Sequence, residues 1–137
     1  MKPKFIFCLF SLCCLLFIGL TQANAKVLFS GAGITLCVND VPFKRPIGPE
    51  QGHRSIPIEV PISAFLNDNS VELDFLEAVG EIEIVISQDG TIVYSSSENV
   101  ESSMVKSIQL PQNASGNFMI EIKGDNGAYA YGWFNLN

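Results

Sequence analysis

From Ser55 onward, hydrophobic and polar positions alternate with a period of two. Ile56, Ile58, Val60, Ile62, Ala64 and Leu66 alternate with Pro57, Glu59, Pro61 and Ser63, and Asn67-Asp68-Asn69 makes a turn. Val71, Leu73 and Phe75 alternate with Glu72 and Asp74; after Gly80, Ile82, Ile84 and Ile86 alternate with Glu81, Glu83 and Val85. Such alternation places one set of side chains on a core face and the other toward water, which is the signature of a half-buried strand. Gln88-Asp89-Gly90 is a hairpin signal, and Thr91 to Ser95 is the returning strand. Ser95 to Ser103 reads as a polar loop, and Val105 to Leu110 as a short strand closed by Pro111. Phe118, Ile120 and Ile122 alternate with Met119, Glu121 and Lys123; Gly124-Asp125-Asn126-Gly127 turns the chain into a last strand, Ala128 to Leu136.

Seven strands at short, regular spacing, with no helical period, predict an all-β domain over residues 55–137. The expected architecture is a single seven-stranded antiparallel immunoglobulin-like (fibronectin-III-like) β-sandwich. Charge placement supports it. Pairing the second and third strands as a hairpin would set Glu72 and Asp74 beside Glu81 and Glu83, and like charges facing across strands destabilise a sheet. A chain that crosses to the other sheet between Leu76 and Gly80 keeps the acidic rows apart. The two prolines of the first strand predict a sheet edge, because proline cannot donate to a ladder. The last strand is expected at an edge of the other sheet, paired to the Phe118 strand.

The residues before the sandwich fall into two parts. Met1 to Ala25 has a basic start with Lys2 and Lys4, an apolar run of 16 residues from Phe5 to Leu20, and an Ala23-Asn-Ala25 ending. That is the layout of a secretory signal peptide cleaved after Ala25, and a spanning helix needs roughly 20 apolar residues. The expected location is therefore the periplasm, the cell surface or the medium, with no membrane span after cleavage. Residues 26–54 form an N-terminal extension and connector. Val27 to Phe29 and Ile34 to Val38 are short apolar pieces divided by Gly31-Ala32-Gly33, and Asn39 to Arg54 is rich in proline, glycine and charge.

Cys8, Cys13 and Cys14 lie in the leader, and neither Cys13 nor Cys14 follows the small residue that lipid anchoring requires. Cys37 is then a lone thiol, which excludes an internal disulfide framework. It reads as a small buried or half-buried apolar group, with an intermolecular disulfide or a nucleophile as the sharper readings; paired with His53 as a base it matches no motif. The formal charge is −6 over 137 residues, and without Lys2 and Lys4 six Lys/Arg face fourteen Asp/Glu. A surface this acidic argues against nucleic acid as a partner.

Several stretches resemble a family of small secreted bacterial proteins, domain-of-unknown-function family 3244. These are Arg54-Ser55, Pro61-Ile62-Ser63-Ala64, Val71-Glu-Leu-Asp-Phe75, Gly80-Glu-Ile-Glu-Ile84, Gly90-x-x-Val93-Tyr94 and Gly116-Asn-Phe118. The most specific is Gly127-Ala-Tyr-Ala-Tyr-Gly-Trp-Phe134. The chain departs from the family pattern at Ala128, where a second glycine is expected, and in its longer segment before Arg54. The resemblance implies a secreted immunoglobulin-like sandwich and brings no activity or catalytic residues.

The candidate site comes from the last strand. Ala128, Ala130, Gly132, Phe134 and Leu136 share one face and belong to the core; Tyr129, Tyr131, Trp133, Asn135 and Asn137 share the other. Three large rings then stand in a row on an outer face, with Met119, Glu121 and Lys123 beside them and Glu83 and Val85 beyond. Exposed rings beside carboxylates stack on sugars and accept their hydroxyl protons, and exposed aromatic patches mark contact surfaces. Alternatively, the segment Val27 to Val38 covers the rings and makes them a second small core.

Glu72, Asp74, Glu81 and Glu83 fit a solvated strand face better than a calcium site or a catalytic pair. No metal-ligand spacing, cofactor motif or catalytic residue is expected. The predicted function is that of an exported non-enzymatic binding module, acting through Tyr129, Tyr131, Trp133 and Glu121 on a carbohydrate or a cell-envelope protein. The alternative is a structural or assembly subunit acting through exposed edge strands, the C-terminal one being the expected donor because prolines blunt the Ile56 to Leu66 edge.

Overall fold

The computed structural model describes residues 31–43 and 60–137. The expected signal peptide, the connector from Lys44 to Arg54 with His53, and the start of the expected first strand, Ser55 to Glu59 with Pro57, lie outside the described residues. Nine strands follow in chain order: β1 (Ala32–Ile34), β2 (Cys37–Val38), β3 (Ile62–Asn67), β4 (Ser70–Phe75), β5 (Gly80–Gln88), β6 (Thr91–Val100), β7 (Met104–Gln109), β8 (Gly116–Gly124) and β9 (Tyr129–Leu136). They form two antiparallel sheets, ordered β1-β3-β4-β7 and β2-β9-β8-β5-β6. Among the described residues there is no helix.

The strand count corrects the expected seven to nine. The seven expected strands are β3 to β9, and the extension supplies two more. β1 pairs with β3, so that Ile34 lies opposite Ala64, and β2 pairs with β9, so that Cys37 lies opposite Tyr131. Segments of three and two residues are too short to announce themselves by alternation. The same additions correct both edge assignments. β3 begins at Ile62, after Pro61, so no proline interrupts its ladder, and it lies inside its sheet between β1 and β4. β9 pairs with β8 as expected, but β2 lies along the start of its other side. The crossing between β4 and β5 is present: the two strands belong to different sheets, with Glu72 and Asp74 in one and Glu81 and Glu83 in the other.

The polar stretch Ser95 to Val100 is a further correction, because it is strand rather than loop. It pairs in register with β5, from Ser95 opposite Val85 to Val100 opposite Gly80. At a sheet margin its inner face needs less apolar surface than a central strand, so Ser96 and Glu98 occupy inner positions between Tyr94 and Val100. The hairpin before it turns on Asp89-Gly90, both with positive φ (49° and 81°), the conformation a two-residue hairpin loop requires.

The core is built from the inward positions of both sheets. Val71, Leu73 and Phe75 of β4 face Ile82, Ile84 and Ile86 of β5 and Phe118, Ile120 and Ile122 of β8, all buried. Phe118 and Phe134 are register partners and stack with centroids 5.5 Å apart. The two long sides of the sandwich are closed differently. On one, the strap Ile34-Thr35-Leu36 passes from β1 in one sheet to β2 in the other, with Ile34 buried and Leu36 packed against the core. A Cβ on Gly132 would lie 2.7 Å from the Thr35 carbonyl oxygen and 3.0 Å from the Ile34 Cγ2. The small residues on the inner face of β9 are therefore the space through which the strap passes.

On the opposite side, Lys106 of β7 donates to Glu98 Oε1 of β6 at 2.6 Å, an ion pair between the two sheets. The bond to Lys106 holds the Glu98 carboxyl below its ordinary range, and the bond to Glu98 raises the Lys106 ammonium. Tyr94, also on the inward side of β6, donates to Ser96 Oγ at 3.0 Å and adds to the raised Lys106 value.

Replacing Gly132 with alanine is expected to displace the strap and lower stability by about 1–3 kcal/mol in urea unfolding, the usual range for an overpacked contact. An unchanged midpoint would show that the strap gives way freely. A second expectation concerns pH. A lowered carboxyl stabilises the fold above its ordinary value of 4.5 and loses that contribution as pH falls through it. A raised ammonium stabilises below 10.5 and loses its contribution as pH rises beyond it. The stability difference between the native protein and Lys106→Met should be largest between those limits and narrow below pH 4.5, as read by thermal unfolding across pH.

Candidate functional site

The outer face of the five-stranded sheet carries three rows of side chains set by strand register. The middle row runs Cys37, Tyr131, Glu121, Val85, Ser95 across all five strands. On one side of it lie Tyr129, Lys123, Glu83 and Ser97; on the other lie Trp133, Met119, Ser87 and Ile92. Pleating dictates this arrangement: Ala128, Ala130, Phe134 and Leu136 are buried, so the alternate residues of β9 must point outward. The expected orientation of the last strand and its expected neighbours are thus present. The strap and β2 run beside β9 rather than across its rings, so the described part of Val27 to Val38, from Gly31 on, leaves them uncovered.

The three rings differ. Trp133 is 63% exposed, whereas Tyr129 and Tyr131 are half-buried. The two tyrosines stack at 5.7 Å with planes 29° apart. Tyr129 donates its hydroxyl to Glu121 Oε1 at 2.7 Å. Burial first, and then the hydrogen bond and negative charge of Glu121, push the Tyr129 phenol up to about 12. Glu121 therefore anchors the ring row through one oxygen. Beside Trp133 an open hollow of about 470 Å³ is bounded by Asn117, Phe134 and Asn135, and Asn135 Nδ2 donates to Asn117 Oδ1 at 2.8 Å. A flat indole with amide groups at its rim offers a stacking surface together with donors and acceptors.

Three contributors to this face escaped the sequence reading. Asn39 accepts from the Tyr129 N–H with Oδ1 at 3.0 Å and donates to the Gly127 carbonyl from Nδ2 at 3.0 Å, so it fixes the start of β9 and the first ring of the row. Its signal was only an asparagine after a short apolar piece. Ile92 is 63% exposed and ends the Trp133 row; the two-residue Asp89-Gly90 loop sets Thr91 opposite Gln88 and so brings Ile92 beside Ser87. Cys37 is exposed rather than buried or half-buried, because two-residue β2 leaves its outer side open to water. Among the described residues, no group of three His, Cys, Asp or Glu side chains is placed to hold a metal ion.

The family model for a domain of unknown function, DUF3244, matches residues 43–136. The chain belongs to this family. A crystal structure of a DUF3244 family protein with an immunoglobulin-like β-sandwich fold from Bacteroides vulgatus superposes with a TM-score of 0.58. The two chains are 16% identical, and the match covers 78% of this chain and 99% of that one. The likeness gives the DUF3244 chain the same immunoglobulin-like fold. No curated protein matches it.

An ultraviolet titration should resolve one tyrosine that ionises only near pH 12, and Glu121→Gln should lower that midpoint while burial keeps it above the ordinary value of 10.0. A midpoint that Glu121→Gln leaves in place would mean that the carboxylate does not hold the ring row.

Proposed function

We propose that this protein is an exported, non-enzymatic binding module whose ligand-contacting surface is the outer face built on Tyr129, Tyr131, Trp133 and Glu121, and that its ligand is a carbohydrate. The leader Met1 to Ala25, with its basic start, apolar run and Ala-x-Ala ending, supports export and cleavage. The observation that carries the binding reading is Trp133, a large apolar ring left 63% exposed on a regular strand. A lone exposed apolar side chain is ordinary, but an exposed indole grouped with two further rings on one face is the kind of patch that marks a contact surface. The neighbouring chemistry favours a sugar: stacked phenols, two asparagine amides and a carboxylate along a shallow face suit alternating C–H surfaces and hydroxyls. A cell-envelope protein as ligand would use the same rings as anchors. An assembly role through the C-terminal strand has less support, since β2 already lies along the start of that strand.

Trp133 is the single tryptophan, so its emission reports directly on this face. Acrylamide should quench it readily in the free protein, and a bound polysaccharide should protect it. On a glycan array, Trp133→Ala should weaken retained binding by about tenfold, equivalent to about 1.4 kcal/mol. Equal binding by native and substituted protein would remove the ring face from the function. Retention of an envelope protein, with no glycan bound, would replace the carbohydrate.

A further inference from the structure

The four terminal strands of the two sheets are not equally protected. β1 and β2 have three and two residues, and β7 has six. β6 has ten, and among the described residues nothing pairs with its outer side. Alternate residues of such a strand turn their N–H and C=O groups to water, and an edge of this length is a template for another strand unless it is blunted. Its first part is blunted by a bulge, where the register with β5 shifts between Ile86 and Ser87. From Tyr94 to Val100 the register is regular, β6 has no proline or lysine, and its inward charge, Glu98, is already held by Lys106.

The surface beside that edge says what fits it. Ser97 and Asn99 are the outward residues of β6, and they lie opposite Glu83 and Glu81 of β5. Their short side chains leave an open trough of about 550 Å³, walled by Glu81, Glu83 and Asp125 with Lys123 as the cation on its lining. A strand added to β6 would place residues in these same rows, roughly 10 Å from the β5 positions at two strand spacings. A lysine or arginine there reaches across Ser97 or Asn99 to a carboxylate. A second copy of this chain would instead bring two acidic troughs together.

We infer that the outer edge of β6, from Tyr94 to Val100, docks an extended polypeptide segment bearing lysine or arginine at alternate positions, which joins the five-stranded sheet as a further strand. Main-chain hydrogen bonds hold the segment, and the pairing of its cations with Glu81 and Glu83 selects it. The inference stands on the edge and its trough and does not depend on the ring face of β9.

The probe is a fluorescein-labelled peptide of alternating threonine and lysine, titrated with the purified protein by fluorescence anisotropy. Saturable binding is expected, weakened about fivefold by Glu81→Gln together with Glu83→Gln, the effect of two exposed ion pairs. The same peptide N-methylated at every backbone nitrogen keeps its charges but cannot donate to a ladder, and it should not bind. Binding of the methylated peptide with equal affinity would reduce the interaction to simple charge attraction and overturn strand addition. A threonine–glutamate peptide that binds as well would overturn the selection for cations. Absence of binding by the threonine–lysine peptide, or dimerisation through β6 in sedimentation, would overturn the assignment altogether.

Discussion

The close approach of the Thr35 carbonyl to Gly132 is the constraint on which most of this structure depends. The strap must leave one sheet and join the other between their margins, and it does so where β9 has no side chain in the way. That requirement fixes which side of β9 is inward. Ala130 and Gly132 fill the inner positions beside the strap, Phe134 and Leu136 continue that inner face beyond it, and Tyr129, Tyr131 and Trp133 alternate outward. The outward rings of the DUF3244 chain are thus a consequence of packing on the other side of the strand. Asn39, immediately after β2, carries the coupling further by binding the backbone at both Tyr129 and Gly127.

The opposite margin is closed by another kind of chemistry. Lys106 and Glu98 meet across the sheets with side chains still 19% and 29% exposed, so water and salt reach them. The strap side rests on buried apolar contact and shape, which salt screens little. β6 is held to β5 by its ladder, and its inner face adds to the Lys106–Glu98 pair Val100, which is fully buried, and Tyr94, which packs against the core. A water-reached polar contact and an open ladder coincide on the middle of this strand.

How much was legible in the sequence follows the same physics. Wherever a strand has one face in the core and one turned outward, as in β4, β8, β9 and the first part of β5, the period of two was plain; in the second part of β5 the outer residues Val85 and Ser87 are buried as well. The crossing from β4 to β5 was readable from charge alone, because Glu72, Asp74, Glu81 and Glu83 forbid a hairpin there. The pattern failed at the margins. Ser95 to Asn99 lacks apolar alternation because its inner positions are Ser96 and Glu98, the latter bound to Lys106, and only Val100 after them is buried in the core. β1 and β2 are too short to carry a period, and the position of Pro61 just ahead of β3, rather than within it, is set by where the strand starts, which periodicity resolves poorly.

These margins also explain why so acidic a chain tolerates its carboxylates. Glu72 and Asp74 lie on one sheet's outer face, and Glu81 and Glu83 on the other's, so the core separates them and neither row adds to the other. Within the second row, Glu83 lies opposite Lys123 on one side and Ser97 on the other, while Glu121 lies one row along and spends an oxygen on Tyr129. The carboxylates nearest β9 are thus absorbed into structure, and those nearest β6 keep their lone pairs toward solvent. One sheet face is in this way divided into an aromatic half, where carboxylate charge is used internally, and an acidic half, where it is left free. A ligand that reads shape and C–H surface belongs on the first, and one that brings positive charge belongs on the second.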